Sequence, residues 1–271
     1  MHGCSVKKGE KMIFEYPLIL VAKKEFLESF QRGNLYMVNC LHYQQLEKDD
    51  SKRGDKYDGA VKCSYNGYTI NKELLRDVDD PRIMILATYV KCFNHFKDND
   101  VQKISDSEYC FTFSKESSDE FNSFNQEYAL IIYDVPKFIE RFSNACKSNK
   151  NIDNHFYSDV IYIDDEEYPK YEEDLISGVL GKKADGVVNP AFLKRKRYSP
   201  QQEFRIVVSL NIGKPLANAT GIKLPESIGF SMNGIEDISA IVKLSEIAQK
   251  TIYAKIVKSN ESKGERIEYY L

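Results

Sequence analysis

Apolar positions along the chain fall into short segments of two periods, extended and helical. Residues 12–21 read as a buried opening strand, and residues 23–32 as a helix with Phe26, Leu27 and Phe30 on one face, closed by Gly33 as its C-cap. Residues 35–39 (Leu-Tyr-Met-Val-Asn) return to the strand pattern, followed by a polar loop over 44–59. Residues 60–70 read as a hairpin turned at Asn66-Gly67. The β-branched and aromatic density of 82–93 and 109–114 predicts two more strands. Residues 128–133 form an apolar strand, and Asp134 caps a helix in which Val135, Phe138, Ile139 and Phe142 recur at helical spacing. Further strands are predicted at 159–163, 203–210 and near 238–244, a helix ending at Leu180, and a last helix over about 245–257. Strands outnumber helices and do not alternate with them, which predicts an α+β fold on mixed or antiparallel sheets rather than a doubly wound one. With no repeat and no low-complexity linker, residues 1–271 read as a single domain: a core over about 12–210 and a C-terminal extension over 211–271.

Composition narrows the class. The chain has 271 residues, 42% hydrophobic and 29% charged, the balance of a folded chain rather than a disordered one. Eighteen Tyr and fifteen Phe carry the aromatic load without any Trp. A net charge of −3 excludes a wholly basic, general polyanion-binding surface but not a local basic patch. The six cysteines include no CxxC or CxxxC pair, so no metal is expected; most sit in apolar runs, as buried reduced thiols do. The longest apolar run, residues 16–22, is interrupted by Pro17 and far shorter than the ~20 residues that span a bilayer. The start lacks the apolar core of a signal peptide, so the expectation is a cytoplasmic protein without membrane contact.

The most informative segment is residues 198–208, Tyr-Ser-Pro-Gln-Gln-Glu-Phe-Arg-Ile-Val-Val. A polar loop feeds straight into an apolar strand with a carboxylate at the junction. In extended backbone Gln201 and Glu203 would point the same way, placing an amide and a carboxylate on one sheet edge, suited to a ligand with several hydroxyls. The same Glu203 could instead pair with Arg205 or a neighbouring Lys and tie down the strand.

The order of segments resembles a large, mostly uncharacterised bacterial domain family whose members occur near phage-defence and toxin genes. The resemblance rests on Gly33-Asn34-Leu35-Tyr36, on His42-Tyr43 with Arg53-Gly54-Asp55, on residues 128–142, and on Val160-Ile161-Tyr162. It ends in the block Lys194…Tyr198…Gln201-Gln202-Glu203-Phe204-Arg205, with Gln201 where Glu is common, and covers roughly residues 20–210.

The Gln-x-Glu pair at a strand start is also similar to the catalytic block of ADP-ribosyltransferases. That resemblance implies a split, mixed β core, NAD as substrate, and Glu203 as the carboxylate beside the breaking glycosidic bond. A carboxylate there stabilises an oxocarbenium-like transition state. At ~4 Å and an effective dielectric of ~20 the attraction is about 4 kcal/mol, enough to matter to a rate. Gln201 would then face the acceptor, a protein or a nucleic acid. By the same resemblance Arg53 is a candidate for the NAD pyrophosphate, His42 for a ribose contact, Tyr43 for a ring stacking on nicotinamide, and Ser114 for the structural hydroxyl that ends a strand. Each can equally be an ordinary loop or strand-end residue.

Two charge clusters complete the reading. Seven carboxylates lie within residues 164–174; a metal-dependent nuclease would use such groups, but a contiguous run is usually a solvated face. Lys194, Arg195, Lys196 and Arg197 precede the strand, either as a solubilising loop or as an electropositive lip guiding a polyanion toward Glu203. Tyr198 beside them could stack on a base. No dinucleotide glycine fingerprint or P-loop is present. The expectation is an NAD-consuming ADP-ribosyltransferase-like effector of a bacterial toxin or antiviral defence system, with an antitoxin or sensor as possible partner. The alternatives are a non-catalytic nucleotide- or nucleic-acid-binding module and a nuclease.

Overall fold

The computed structural model describes residues 16–39, 88–95, 101–105, 108–112, 126–164, 190–210, 225–249, 251–258 and 265–270. The first half of the chain supplies β1 (Leu18–Ala22), α1 (Lys24–Gln31), β2 (Asn34–Asn39), β3 (Thr88–His95), β4 (Val101–Ser105), β5 (Glu108–Thr112) and β6 (Tyr128–Ile132). The second half supplies α2 (Val135–Ser148), β7 (Ile152–Asp159), β8 (Ile161–Ile163), β9 (Leu193–Arg195), β10 (Glu203–Leu210), β11 (Ser227–Ser231), β12 (Ser239–Lys243), β13 (Thr251–Lys258) and β14 (Glu265–Tyr270). Among the described residues the sheets are mostly antiparallel and only two α-helices occur, an α+β arrangement.

The chain divides into two compact units, residues 36–92 with 146–230 and residues 2–35, 93–145 and 231–271; the boundaries fall within β2, β3, α2 and β11. In the first unit β10 pairs antiparallel with β7, from Phe204 opposite Asp159 to Leu210 opposite Ile152. It also pairs with β3, which in turn pairs with β2 through Val38 and Val90. A separate parallel pair joins β8 to β9, setting Tyr162 opposite Lys194. Every residue of β10 except its last is buried. Burial on both faces is why Phe204, Ile206, Val207 and Val208 are apolar on either side of the strand, and why the charges of Glu203 and Arg205 are drawn inside with them. Val207, on the same strand face as Glu203 and Arg205, packs in a core with Val90, Ala191 and Phe192.

In the second unit β6 lies between β1 and β12, both antiparallel to it. A four-stranded sheet runs β14-β13-β5-β4. The rings of Phe30, Phe93 and Phe138 meet mutually at centroid distances of 5.5–6.1 Å. Helix α2 starts as its sequence predicts: Asp134 Oδ1 accepts the Lys137 backbone N–H at 3.1 Å, and Val135, Phe138, Ile139 and Phe142 are buried. Helix α1 ends at Gly33, whose φ of +93° and packing against the Met232 carbonyl leave no room for a Cβ.

Two expectations need correction. The predicted last helix over 245–257 is instead a 3-10 segment, Leu244–Gln249, followed by β13, which pairs with β5 on one side and β14 on the other. Thr251, Ile252, Tyr253, Ile256 and Val257 are strand formers, and Ile252 buries completely opposite Phe111. The predicted strand over 159–163 is divided at Val160: its N–H donates to the Glu203 carbonyl at 2.9 Å, continuing the β7–β10 register, and beyond it Ile161–Ile163 pair with β9 instead. The hairpin over 60–70, the helix ending at Leu180, and the acidic residues beyond Asp164 lie outside the described residues.

Candidate functional site

The block singled out in the sequence gathers into one cluster of the first unit. Glu203 and Arg205 leave the same face of a strand covered on both sides, so both charges are drawn into the interior. An isolated buried charge is untenable, and two residues apart on one face they neutralise each other. Arg205 donates from Nε at 2.9 Å and Nη2 at 2.7 Å to Glu203 Oε2, and from Nη1 at 2.7 Å to the Ala191 carbonyl. Lys194, on β9, donates to the other carboxylate oxygen, Oε1, and to Gln201 Oε1 at 2.7 Å. Lys194 and Arg205 are each 1% exposed and Glu203 is 7% exposed. The Tyr162 hydroxyl of β8 accepts the Glu203 backbone N–H at 2.9 Å.

Burial pushes the Glu203 carboxyl up, but the charges of Arg205 and Lys194 and their hydrogen bonds outweigh it and hold the group below the usual carboxylate range. Burial likewise pushes the Tyr162 phenol up, aided by the Glu203 charge, so it stays protonated. The site therefore presents an ionised, oriented carboxylate whose two oxygens have different partners.

Gln201 and Glu203 do converge, but not by strand alternation. Gln201 ends a 3-10 segment, Lys196–Gln201, and Gln202 adopts a left-handed conformation with φ of 46°. The chain turns between them, and the Lys194 ammonium brings the amide and the carboxylate together.

The basic run divides. Lys194 and Arg195 are buried, so they cannot form a solvent-facing lip; Lys196 and Arg197 are exposed. The reason is geometric: Lys194 and Arg195 belong to β9, which runs alongside β8, whereas Lys196 begins the 3-10 segment. Lys196 pairs with Asp164 at 3.0 Å on the surface, a contact of at most about 1 kcal/mol. Tyr198 is also displaced from its expected role. It is buried, and Lys194 Nζ, Arg197 Cζ and Arg195 Cζ lie 4.8, 4.8 and 5.6 Å from its ring centre. Its hydroxyl accepts from Arg197 Nη2 at 2.8 Å and Arg195 Nη2 at 3.5 Å. Its burial, rather than an open face, leaves the ring unavailable for stacking on a base.

His42, Tyr43, Arg53 and Ser114 lie outside the described residues. Tyr162 had no assigned role in the sequence reading, although the parallel pairing of its segment with residue 194 is what places it; nothing local in the sequence signals a pairing across 32 residues. Among the described residues Cys92, Cys110 and Cys146 are thiols outside any disulfide, and burial pushes Cys146 up to about 12. Among the described residues no helix is long and apolar enough to cross a membrane. Comparison with protein-family models, curated proteins and solved structures returned no match.

Proposed function

We propose that the chain is an NAD-consuming, ADP-ribosyltransferase-like effector with Glu203 as its working carboxylate. The observation that carries this reading is the clamp. Glu203 is kept ionised and fixed in direction at the start of β10 by Lys194 and Arg205, with Gln201 held on the same ammonium. Stabilising an oxocarbenium-like transition state requires a carboxylate that is charged and pre-oriented before the substrate arrives. A carboxylate offers about four acceptor sites, and the clamp uses three N–H donors, leaving Oε1 able to take one ribose hydroxyl. The antiparallel α+β architecture is compatible with an ADP-ribosyltransferase-like split core. The acceptor would be a protein or a nucleic acid, and the setting a bacterial toxin or defence system with an antitoxin or sensor partner.

The test is incubation with NAD while following nicotinamide, with Glu203→Gln as control. Release that depends on Glu203 supports the reading; its absence in folded wild-type protein overturns it. A second reading draws on the same clamp: both oxygens of Glu203 already carry buried cations, as a purely structural keystone would. On that reading the chain is a nucleotide-binding module, and NAD or RNA binds without turnover.

A further inference from the structure

We propose that Lys194 is the positioning residue of this site, one ammonium that sets the Glu203 carboxylate and the Gln201 amide as a single unit. The proposal rests on the reading of Glu203 as the working carboxylate. The two cations on that carboxylate are not equivalent. Arg205 holds Oε2 and the Ala191 carbonyl, binding the carboxylate to the core of its own unit. Lys194 holds Oε1 and reaches across the left-handed turn at Gln202 to the side chain two residues earlier. Gln201 sits on the far side of a backbone reversal, and this ammonium is an anchor it shares with Glu203. The ammonium is itself fixed: it gives two hydrogen bonds and lies 4.8 Å from the centre of the Tyr198 ring. A lysine suits this place because a compact point charge can meet two oxygens from different residues, whereas a guanidinium fork is matched to one carboxylate.

The groups facing the carboxylate come from three strands: Lys194 of β9, Arg205 of β10 itself and Tyr162 of β8, with Cys92 of β3 acting on Tyr162. Lys194 touches both Gln201 and Glu203.

The experiment compares wild type with Lys194→Met and Lys194→Arg. The Glu203 carboxyl is titrated by carbon-13 NMR, assigned by its loss in Glu203→Gln, and nicotinamide release is measured across pH. Removing an opposite charge at contact moves a carboxyl by about 1–3 pH units, so Lys194→Met is expected to titrate at least about one unit higher. The acid limb of its pH–rate profile shifts by the same amount, and kcat falls about 10²-fold with KM changed less than about threefold. Lys194→Arg returns the carboxyl titration toward wild type but not kcat. A carboxyl in Lys194→Met that titrates as in wild type, or a kcat that is unchanged, overturns the proposal. If Lys194→Met does not fold, Lys194→Gln carries the same comparison. If wild type releases no nicotinamide, the ADP-ribosyl reading fails, while the titration still decides whether Lys194 holds the carboxylate.

Discussion

Arg205 and Glu203 meet through two donors on one oxygen: Nε and Nη2 of the guanidinium both bond Oε2, at 2.9 and 2.7 Å. Both side chains leave the same face of a strand buried on both sides, so neither can relax into water. Removing Arg205 leaves the buried carboxylate with Lys194 on Oε1 but nothing from the guanidinium on Oε2, and breaking a buried pair in this way costs about 3–5 kcal/mol. Arg205→Met is therefore expected to lower stability by about 3 kcal/mol in urea unfolding. The double variant Arg205→Met with Glu203→Gln should lose less than the two single losses added, by about 1 kcal/mol or more. Strict additivity would mean the pair does not exist in solution.

Among the described residues, acid should act on stability chiefly through Glu203 and Asp237. The Glu203 carboxyl is held low against burial by Arg205 and Lys194, and Asp237 is held low chiefly by its hydrogen bonds from Arg141 and Lys137. A carboxyl lowered in the folded state contributes stability that is complete above its unfolded value, about 4, and is lost as pH falls toward the lowered folded value. Urea midpoints between pH 6 and 2 should fall steeply for wild type and much less for Glu203→Gln. Asp237 is half exposed and solvent-screened, so Asp237→Asn should flatten the slope only slightly, and by less in about 0.5 M salt. An acid slope unchanged in Glu203→Gln would contradict the buried clamp.

The junction after α1 gives an independent test of the second unit. Gly33 has a φ of +93°, and an added Cβ would run into the Met232 carbonyl. Its own carbonyl accepts the Met232 N–H at 2.9 Å, so the backbone cannot shift freely. Gly33→Ala should cost more than about 1 kcal/mol in thermal or urea unfolding. A neutral effect would place the turn in another conformation.

The start of α2 offers a finer discrimination. Asp134 Oδ1 caps the helix through the Lys137 N–H. Asp134→Ala is expected to lose about 1 kcal/mol, whereas Asp134→Asn keeps an accepting oxygen and should lose only a few tenths. Equal losses in the two variants would show that charge, not capping, matters there.

These sites also show what the sequence could and could not reveal. The cap at Asp134, the Gly33 stop and the buried face of α2 are local matters of spacing, and they read directly. Glu203 and Arg205 were visible as an i, i+2 pair on one strand face. Lys194 was read as a surface cation because four consecutive charges normally lie in solvent, and only the β8–β9 pairing draws Lys194 and Arg195 inward. Tyr162 was silent for the same reason. The tail misled because residues 245–257 hold apolar positions compatible with either period, and the partner that decides for a strand, β5, lies about 140 residues earlier. Pairing between distant segments is what local pattern does not encode.

The central claim, that Glu203 is a working carboxylate and not only a keystone, is tested most directly by the initial rate of nicotinamide release from NAD. Wild type and Glu203→Gln should be matched for fold by near-ultraviolet circular dichroism. The account predicts release by wild type and a loss of about 10²-fold or more in the variant. Equal rates in the two proteins, or no release by correctly folded wild type, would contradict it.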